Sequence, residues 1–333
     1  MKRSLKIGMS VAGTIIGAGF ATGKELLVFF KGESGFYTIL LISAVLLIGI
    51  TSVIYFKMVK IKPDGSFFKI VFLTFAGGCY TIMLACGGQT LYDTLNFDYR
   101  IGVFITFLVT IIVIRFGIEG VYKFNAFATP LITISLILIS VMGISKPVFN
   151  IFSSPDMPYV PYLNAILYAG YNILAVLPFI SAISKETDEK EGISGIISGF
   201  LVVLITSIAV KLMLNNYFLL IANESIPILK IIGIISQQIS YIYSVVLYTS
   251  IVTTGVNLLY VLVKKLNKGK LGFKGILLTS LPFLVISFLG FVSLLENIYT
   301  YFGYIGIVII ISIIGNVKRI MKKGKHPMGG NGS

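Results

Sequence analysis

Three stretches of this chain place residues where they could hold a small solute or an ion. The first is Gly13-Thr-Ile-Ile-Gly-Ala-Gly-Phe-Ala-Thr-Gly-Lys-Glu25, four glycines and then an acid–base pair in a segment otherwise apolar enough to cross a membrane. Glycine disfavours a helix interior by roughly 1 kcal/mol relative to alanine, so this helix is expected to break. Backbone groups freed inside a bilayer then need protein partners or a cavity. The second stretch, Tyr168-Ala-Gly-Tyr-Asn172 followed by Pro178, sets a glycine, an asparagine and two phenols at mid-depth of another apolar segment. In the third, Thr249-Ser-Ile-Val-Thr-Thr-Gly255, the spacing of Ser250, Thr253 and Thr254 can turn one carbonyl and two hydroxyls to one helix face. Hard oxygen ligands without a carboxylate suit Na⁺ better than a transition metal, and the remaining ligands would be carbonyls freed in the first stretch.

Each stretch also has a plainer reading. Gly13 to Gly17 and Gly19 to Gly23 are GxxxG spacings, which serve close packing in membrane helices. Serine and threonine hydroxyls bond back to the preceding turn, Tyr168, Tyr171 and Asn172 can bond across helices, and Pro178 can be an ordinary kink. Packing accounts for the glycines but not for Lys24 and Glu25, which are costly before the span has left the membrane unless paired or facing water.

The elements that position these residues are membrane spans. Hydrophobic residues make up 56% of the chain and charged ones 12%, against about a quarter charged in soluble domains, and the mean hydropathy is +0.95. The net charge of +14 does not imply a nucleic-acid partner, because the basic residues form short clusters between apolar runs. Cys79 and Cys86 lie too far apart along one helix to bridge each other. About ten spans are expected: Leu5 to Phe30, Phe36 to Phe56, Phe67 to Tyr92, Ile101 to Phe116, Val121 to Ile144, Pro161 to Ser184, Ile193 to Phe218, Ile226 to Val263, Gly275 to Leu295 and Ile298 to Val317. The eighth exceeds one crossing, so it projects beyond the bilayer or follows a short outer segment. Basic clusters such as Lys57 to Lys69, Lys264 to Lys274 and Lys318 to Lys325 fall on one side, which makes both termini cytoplasmic. Ten spans divide into two groups of five that enter from opposite sides, an inverted repeat over about 5–144 and 161–317 within one domain, 1–320. A glycine-rich cytoplasmic tail, 321–333, is expected to be disordered.

Over nearly its whole length the chain resembles the YkvI-type bacterial membrane proteins, amino-acid permeases of the amino acid, polyamine and organocation superfamily with the LeuT-like fold. The resemblance rests on Gly13-Thr-Ile-Ile-Gly-Ala-Gly-Phe20, Tyr171-Asn172 and Thr253-Thr254-Gly255. It implies an all-α protein of the bacterial cytoplasmic membrane, with discontinuous helices 1 and 6 and a solute held between them. The substrate-facing residues would be Gly17, Ala18, Gly19, Phe20, Tyr80, Tyr168, Tyr171 and Asn172, with the Ala18 and Gly19 N–H groups on a carboxylate and Tyr80 beside it. Carbonyls of Gly13, Ile16 and Ser250 and the hydroxyls of Thr253 and Thr254 would hold Na⁺, and Lys24 and Glu25 would form the outer gate. Sodium-coupled relatives carry an asparagine where Phe20 stands, which argues against a second, substrate-bound Na⁺.

The function expected is therefore secondary active transport of an amino acid or related small amine, coupled to one Na⁺, in the lipid bilayer and without an organic cofactor. An H⁺-coupled or uncoupled permease and a membrane sensor or scaffold that binds without moving its ligand stand as alternatives. An enzyme is not expected, since no span carries a carboxylate pair, a histidine cluster or a Ser/His arrangement at mid-depth.

Overall fold

A computed structural model describes residues 3–32, 35–61, 66–114, 117–146, 161–184, 186–266 and 272–315. The first apolar segment is interrupted twice, giving α1 (Arg3–Ile15), α2 (Ala18–Thr22) and α3 (Lys24–Phe29). The second interruption needs glycine, because Gly23 sits in the left-handed region at φ 78°. The backbone groups it frees are satisfied locally. The Thr22 hydroxyl donates to the Gly19 carbonyl at 2.6 Å and accepts from the Lys24 N–H at 3.1 Å, while the Tyr243 hydroxyl donates to the Ala21 carbonyl at 2.6 Å. A chain break inside a low-dielectric layer is stable only with such partners.

The remaining elements are α4 (Gly35–Ile61), α5 (Ser66–Leu95), α6 (Tyr99–Ile114), α7 (Gly117–Ser145), α8 (Pro161–Ser184), α9 (Glu189–Asn216), α10 (Phe218–Ile221), α11 (Pro227–Ile235), α12 (Gln237–Leu266), α13 (Phe273–Ser287) and α14 (Phe291–Gly315). Among the described residues six helices are long and apolar enough to cross a membrane, and three shorter apolar ones join them. With the broken first segment these make ten crossings. Ile39, Ile50, Leu278, Val285 and Val308 are more than half exposed, the pattern of helices whose outer faces meet lipid rather than water. The packing has the symmetry of two fives: α1 packs along α9 and α4 along α8, pairs that exchange when the first five crossings are laid on the last five, while α5 packs on α12, its own image.

Two expectations are corrected. The sixth crossing, α8, is one continuous helix rather than a discontinuous one, with Pro178 inside it. Gly170 is used for packing: a Cβ there would run into the backbone of Gly303, and one on Gly306 into the backbone of Gly170. The small residues let α8 and α14 touch without unwinding either. The turn between the last two crossings falls at Phe288–Gly290, with Gly290 at φ 100°, eight residues before the expected start at Ile298. The long eighth segment divides at Ser236 into the short α11 and the spanning α12, the second of its two expected forms. The tail 321–333 lies outside the described residues.

Candidate functional site

The buried side chains form two hydrophobic clusters. The larger draws on the broken first segment, α4, α8, α9, α11 and α14 together with one face each of α5, α7 and α12; the smaller joins the other faces of α5 and α12 to α6 and α13. A cavity of about 370 Å³ opens among the helices of the larger cluster. Its inner wall comes from the broken segment through Gly13, Gly17, Ala18, Gly19 and Glu25, from α8 through Tyr171 and Asn172, and from α14 through Tyr299. The facing wall comes from Cys79 and Met83 on α5 and from Thr254, Asn257 and Leu258 on α12.

The cavity is closed at one end and extended toward the other. At the closed end the Lys24 ammonium donates to the Glu224 carbonyl at 3.0 Å, pulling the segment between α10 and α11 onto the start of α3. Lys211, fully buried on α9, donates to the carbonyls of Phe30 at 2.8 Å and Gly32 at 2.7 Å, tying down the end of α3. The last carbonyls of a helix are favourable partners for a cation. Toward the other end the lining continues through Phe72 near the start of α5, Phe179 late in α8, and Tyr260 and Val261 late in α12. That end carries the start of α1, where Arg3 bonds the Glu186 carbonyl and pairs with Glu191.

Among the described residues Glu25 is the sole charged one in the cavity wall, and it is 3% exposed. The Tyr171 hydroxyl donates to its Oε1. Its Oε2 lies over Gly19 beside the Tyr299 hydroxyl, and a Cβ on Gly19 would be 2.9 Å from both oxygens. The Tyr171 and Tyr299 rings stack at 4.5 Å and 10°, and Phe29 stacks on the other side of Tyr171 at 5.4 Å. Among the described residues the ion pairs are Arg3–Glu191, Lys57–Glu189 and Lys230–Glu224, none of which involves Glu25.

The structure brings together Gly13, Gly17, Ala18, Gly19, Tyr171, Asn172 and Thr254 of the residues expected to bind solute or ion. Ile16, Phe20, Tyr80, Tyr168, Ser250 and Thr253 are buried outside the cavity wall. Tyr80 turns its hydroxyl to Thr110, 2.9 Å away on α6, and Tyr168 packs edge-on against Phe29 and Phe30. The Thr253 hydroxyl donates to the carbonyls of Thr249 and Ser250 at 3.0 and 2.9 Å, within its own helix. Lys24 and Glu25, both expected at the outer gate, are separated: Lys24 belongs to the closed end and Glu25 to the cavity. Tyr299, Cys79 and Asn257 were not expected. Asn257 could have been found, since it lies three residues after Thr254, on the same helix face.

No protein-family profile matches the sequence. The chain is 26% identical over 323 residues to an uncharacterized membrane protein, YkvI, of Bacillus subtilis (strain 168), covering 87% of this chain and 89% of that protein. It is 24% identical over 199 residues to the uncharacterized protein YyaD of the same organism, covering 56% of this chain and 58% of that protein. Among solved structures, the inward-facing conformation of Mhp1 superposes with a TM-score of 0.55 at 13% identity, over 96% of this chain and 74% of that one. Mhp1 is described as a nucleobase-cation-symport-1 family transporter. The chain is thus an all-α, multi-pass membrane protein with the LeuT-like fold. The relative that shares most of its length, YkvI, is itself a membrane protein without an assigned activity.

Proposed function

We propose that this protein is a secondary active transporter of an amino acid or related small amine, driven by Na⁺, in the bacterial cytoplasmic membrane with both termini in the cytoplasm. The observation that carries this reading is the cavity between the broken segment, α8 and α14 on one side and α5 and α12 on the other, closed at the Lys24 end and extended toward the Arg3 end. With the termini inside, that is an inward-facing state, the state for which the Mhp1 structure is named. Alternating access requires two bodies that can tilt about a central solute, and the cavity's two walls come from separate groups of helices. In this reading Ala18 and Gly19 present N–H groups to a carboxylate. The Gly13, Ile16 and Ser250 carbonyls and the Thr253 and Thr254 hydroxyls close around Na⁺ when the bodies come together. Gly13 and Thr254 already face one cavity from opposite walls.

A thermal-shift screen of amino acids and amines, run in Na⁺ and again with Na⁺ replaced by K⁺, tests the reading. Stabilisation by one solute in Na⁺ alone is expected, because a ligand that binds only the folded state raises its melting temperature by mass action. Equal stabilisation in both salts contradicts the ion assignment, and none from any solute contradicts the substrate class.

A further inference from the structure

We infer that Glu25 is the anchor for a protonated nitrogen of the solute, so that the cavity selects organic ammonium groups over their uncharged counterparts. The inference rests on reading the cavity as a solute site. It adds the sign of the charge recognised and the residue that recognises it.

A carboxylate withdrawn from water is stable when a cation or several hydrogen bonds offset the loss of hydration. Glu25 is 3% exposed and takes one hydrogen bond, from Tyr171, among the described residues. Its neighbour in sequence does not serve it, because the Lys24 ammonium reaches Glu224 at the closed end. Lys211, the other buried lysine nearby, is held by the carbonyls of Phe30 and Gly32. Among the described residues no lysine or arginine lines the cavity. Among the described residues, then, the second oxygen of Glu25 faces a space with no protein cation in it.

What surrounds that oxygen points to an organic cation rather than to a metal. The stacked rings of Tyr171 and Tyr299 stand beside the carboxylate, with the Tyr299 hydroxyl at the same corner. Both faces of Tyr171 are covered, by Tyr299 and Phe29, so what the aromatic wall offers a cation at this corner is the Tyr299 hydroxyl. A bare Na⁺ needs several oxygen ligands, whereas Glu25 Oε2 and one phenol supply two. Gly19 keeps the corner open, since a methyl group there would sit 2.9 Å from both oxygens.

The test uses purified full-length protein and two readouts that do not depend on transport: thermal shift, and protection of Cys79 from maleimide. Cys79 lines the same cavity. The probes are L-leucine, L-phenylalanine, phenethylamine and putrescine, each matched with its deaminated counterpart: isocaproate, hydrocinnamate, phenethyl alcohol and butanediol. At least one amine is expected to stabilise the protein and shield Cys79 while its counterpart does neither. Glu25→Gln is expected to weaken that amine by at least about tenfold, the loss of one charge-assisted hydrogen bond. Its unliganded melting temperature and gel-filtration profile serve as the folding control. Should Glu25→Gln fail to fold, Glu25→Asp gives the answer, since it keeps the charge but withdraws it from the corner by one methylene and is expected to weaken the amine. Counterparts that bind as well as the amines overturn the inference, as does a panel in which no amine binds. Amine binding that Glu25→Gln leaves intact while abolishing only its dependence on pH also overturns it, and makes Glu25 a proton site. Glu25-dependent amine binding without uptake into liposomes removes the transport reading and leaves the inference standing. Uptake of a neutral solute does the reverse.

Discussion

Lys24 and Glu25 are consecutive in the chain and serve opposite faces of one closed layer. The Lys24 ammonium clasps the Glu224 carbonyl at 3.0 Å, while the Glu25 carboxylate accepts from Tyr171 and lines the cavity beneath. Removing the clasp is predicted to loosen the closed end without emptying the site. In Lys24→Ala, labelling of Cys79 by an impermeant maleimide applied from the Lys24 side is expected to rise severalfold over the parent protein. Unchanged labelling would show that Lys211 and the α10–α11 segment hold the layer without Lys24.

The contact of Gly170 with Gly303 and Gly306 makes a prediction with a definite sign. If packing is its task, Gly170→Ala overpacks the α8–α14 interface and destabilises by about 1–3 kcal/mol. If α8 needed to unwind there, alanine would favour the helix and raise the melting temperature. A fall in melting temperature is expected, with Gly170→Leu failing to fold.

Gly23 combines a left-handed backbone with a tight neighbour, because a Cβ there would lie 2.8 Å from Ile228. Gly23→Ala is expected to destabilise by at least about 1–2 kcal/mol from the dihedral alone. Adding Ile228→Ala relieves the contact but not the dihedral, so the double variant should differ from Ile228→Ala by about that residual amount. Equal stability of those two proteins would mean that the turn relaxes freely.

Thr253 and Thr254 test the ion site. Thr253→Ala and Thr254→Ala are each expected to abolish the difference between Na⁺ and K⁺ in solute-dependent thermal stabilisation, while leaving the fold intact. Survival of the difference in both variants places the ion elsewhere.

What could be read from the sequence follows from how local each signal is. The break in the first crossing was legible because Gly13 to Gly23 and the charges after them conflict with a continuous helix inside one short window. The break assigned to Tyr168–Asn172 was misread because the fate of Gly170 depends on Gly303 and Gly306, more than a hundred residues away. The turn at Gly290 was hidden by the apolar run from Leu289 to Leu295, which reads equally well as the end of one span or the start of the next. Glu25 stood out as expensive from the start. Its direction was not legible, because it depends on Tyr171 from α8 and on Tyr299 from α14. Tyr299 does share a face with Gly303 and Gly306, so that small-residue stripe could have pointed to it.

The central claim is that the cavity carries a solute across the membrane rather than only holding it. The most direct measurement is uptake of radiolabelled L-amino acids and amines by proteoliposomes under an imposed inward Na⁺ gradient, against protein-free liposomes. The account predicts transient accumulation of at least one solute above its outside concentration, lost when the gradient is collapsed. Saturable binding of that solute to the protein with no accumulation would contradict it and leave a membrane receptor in its place.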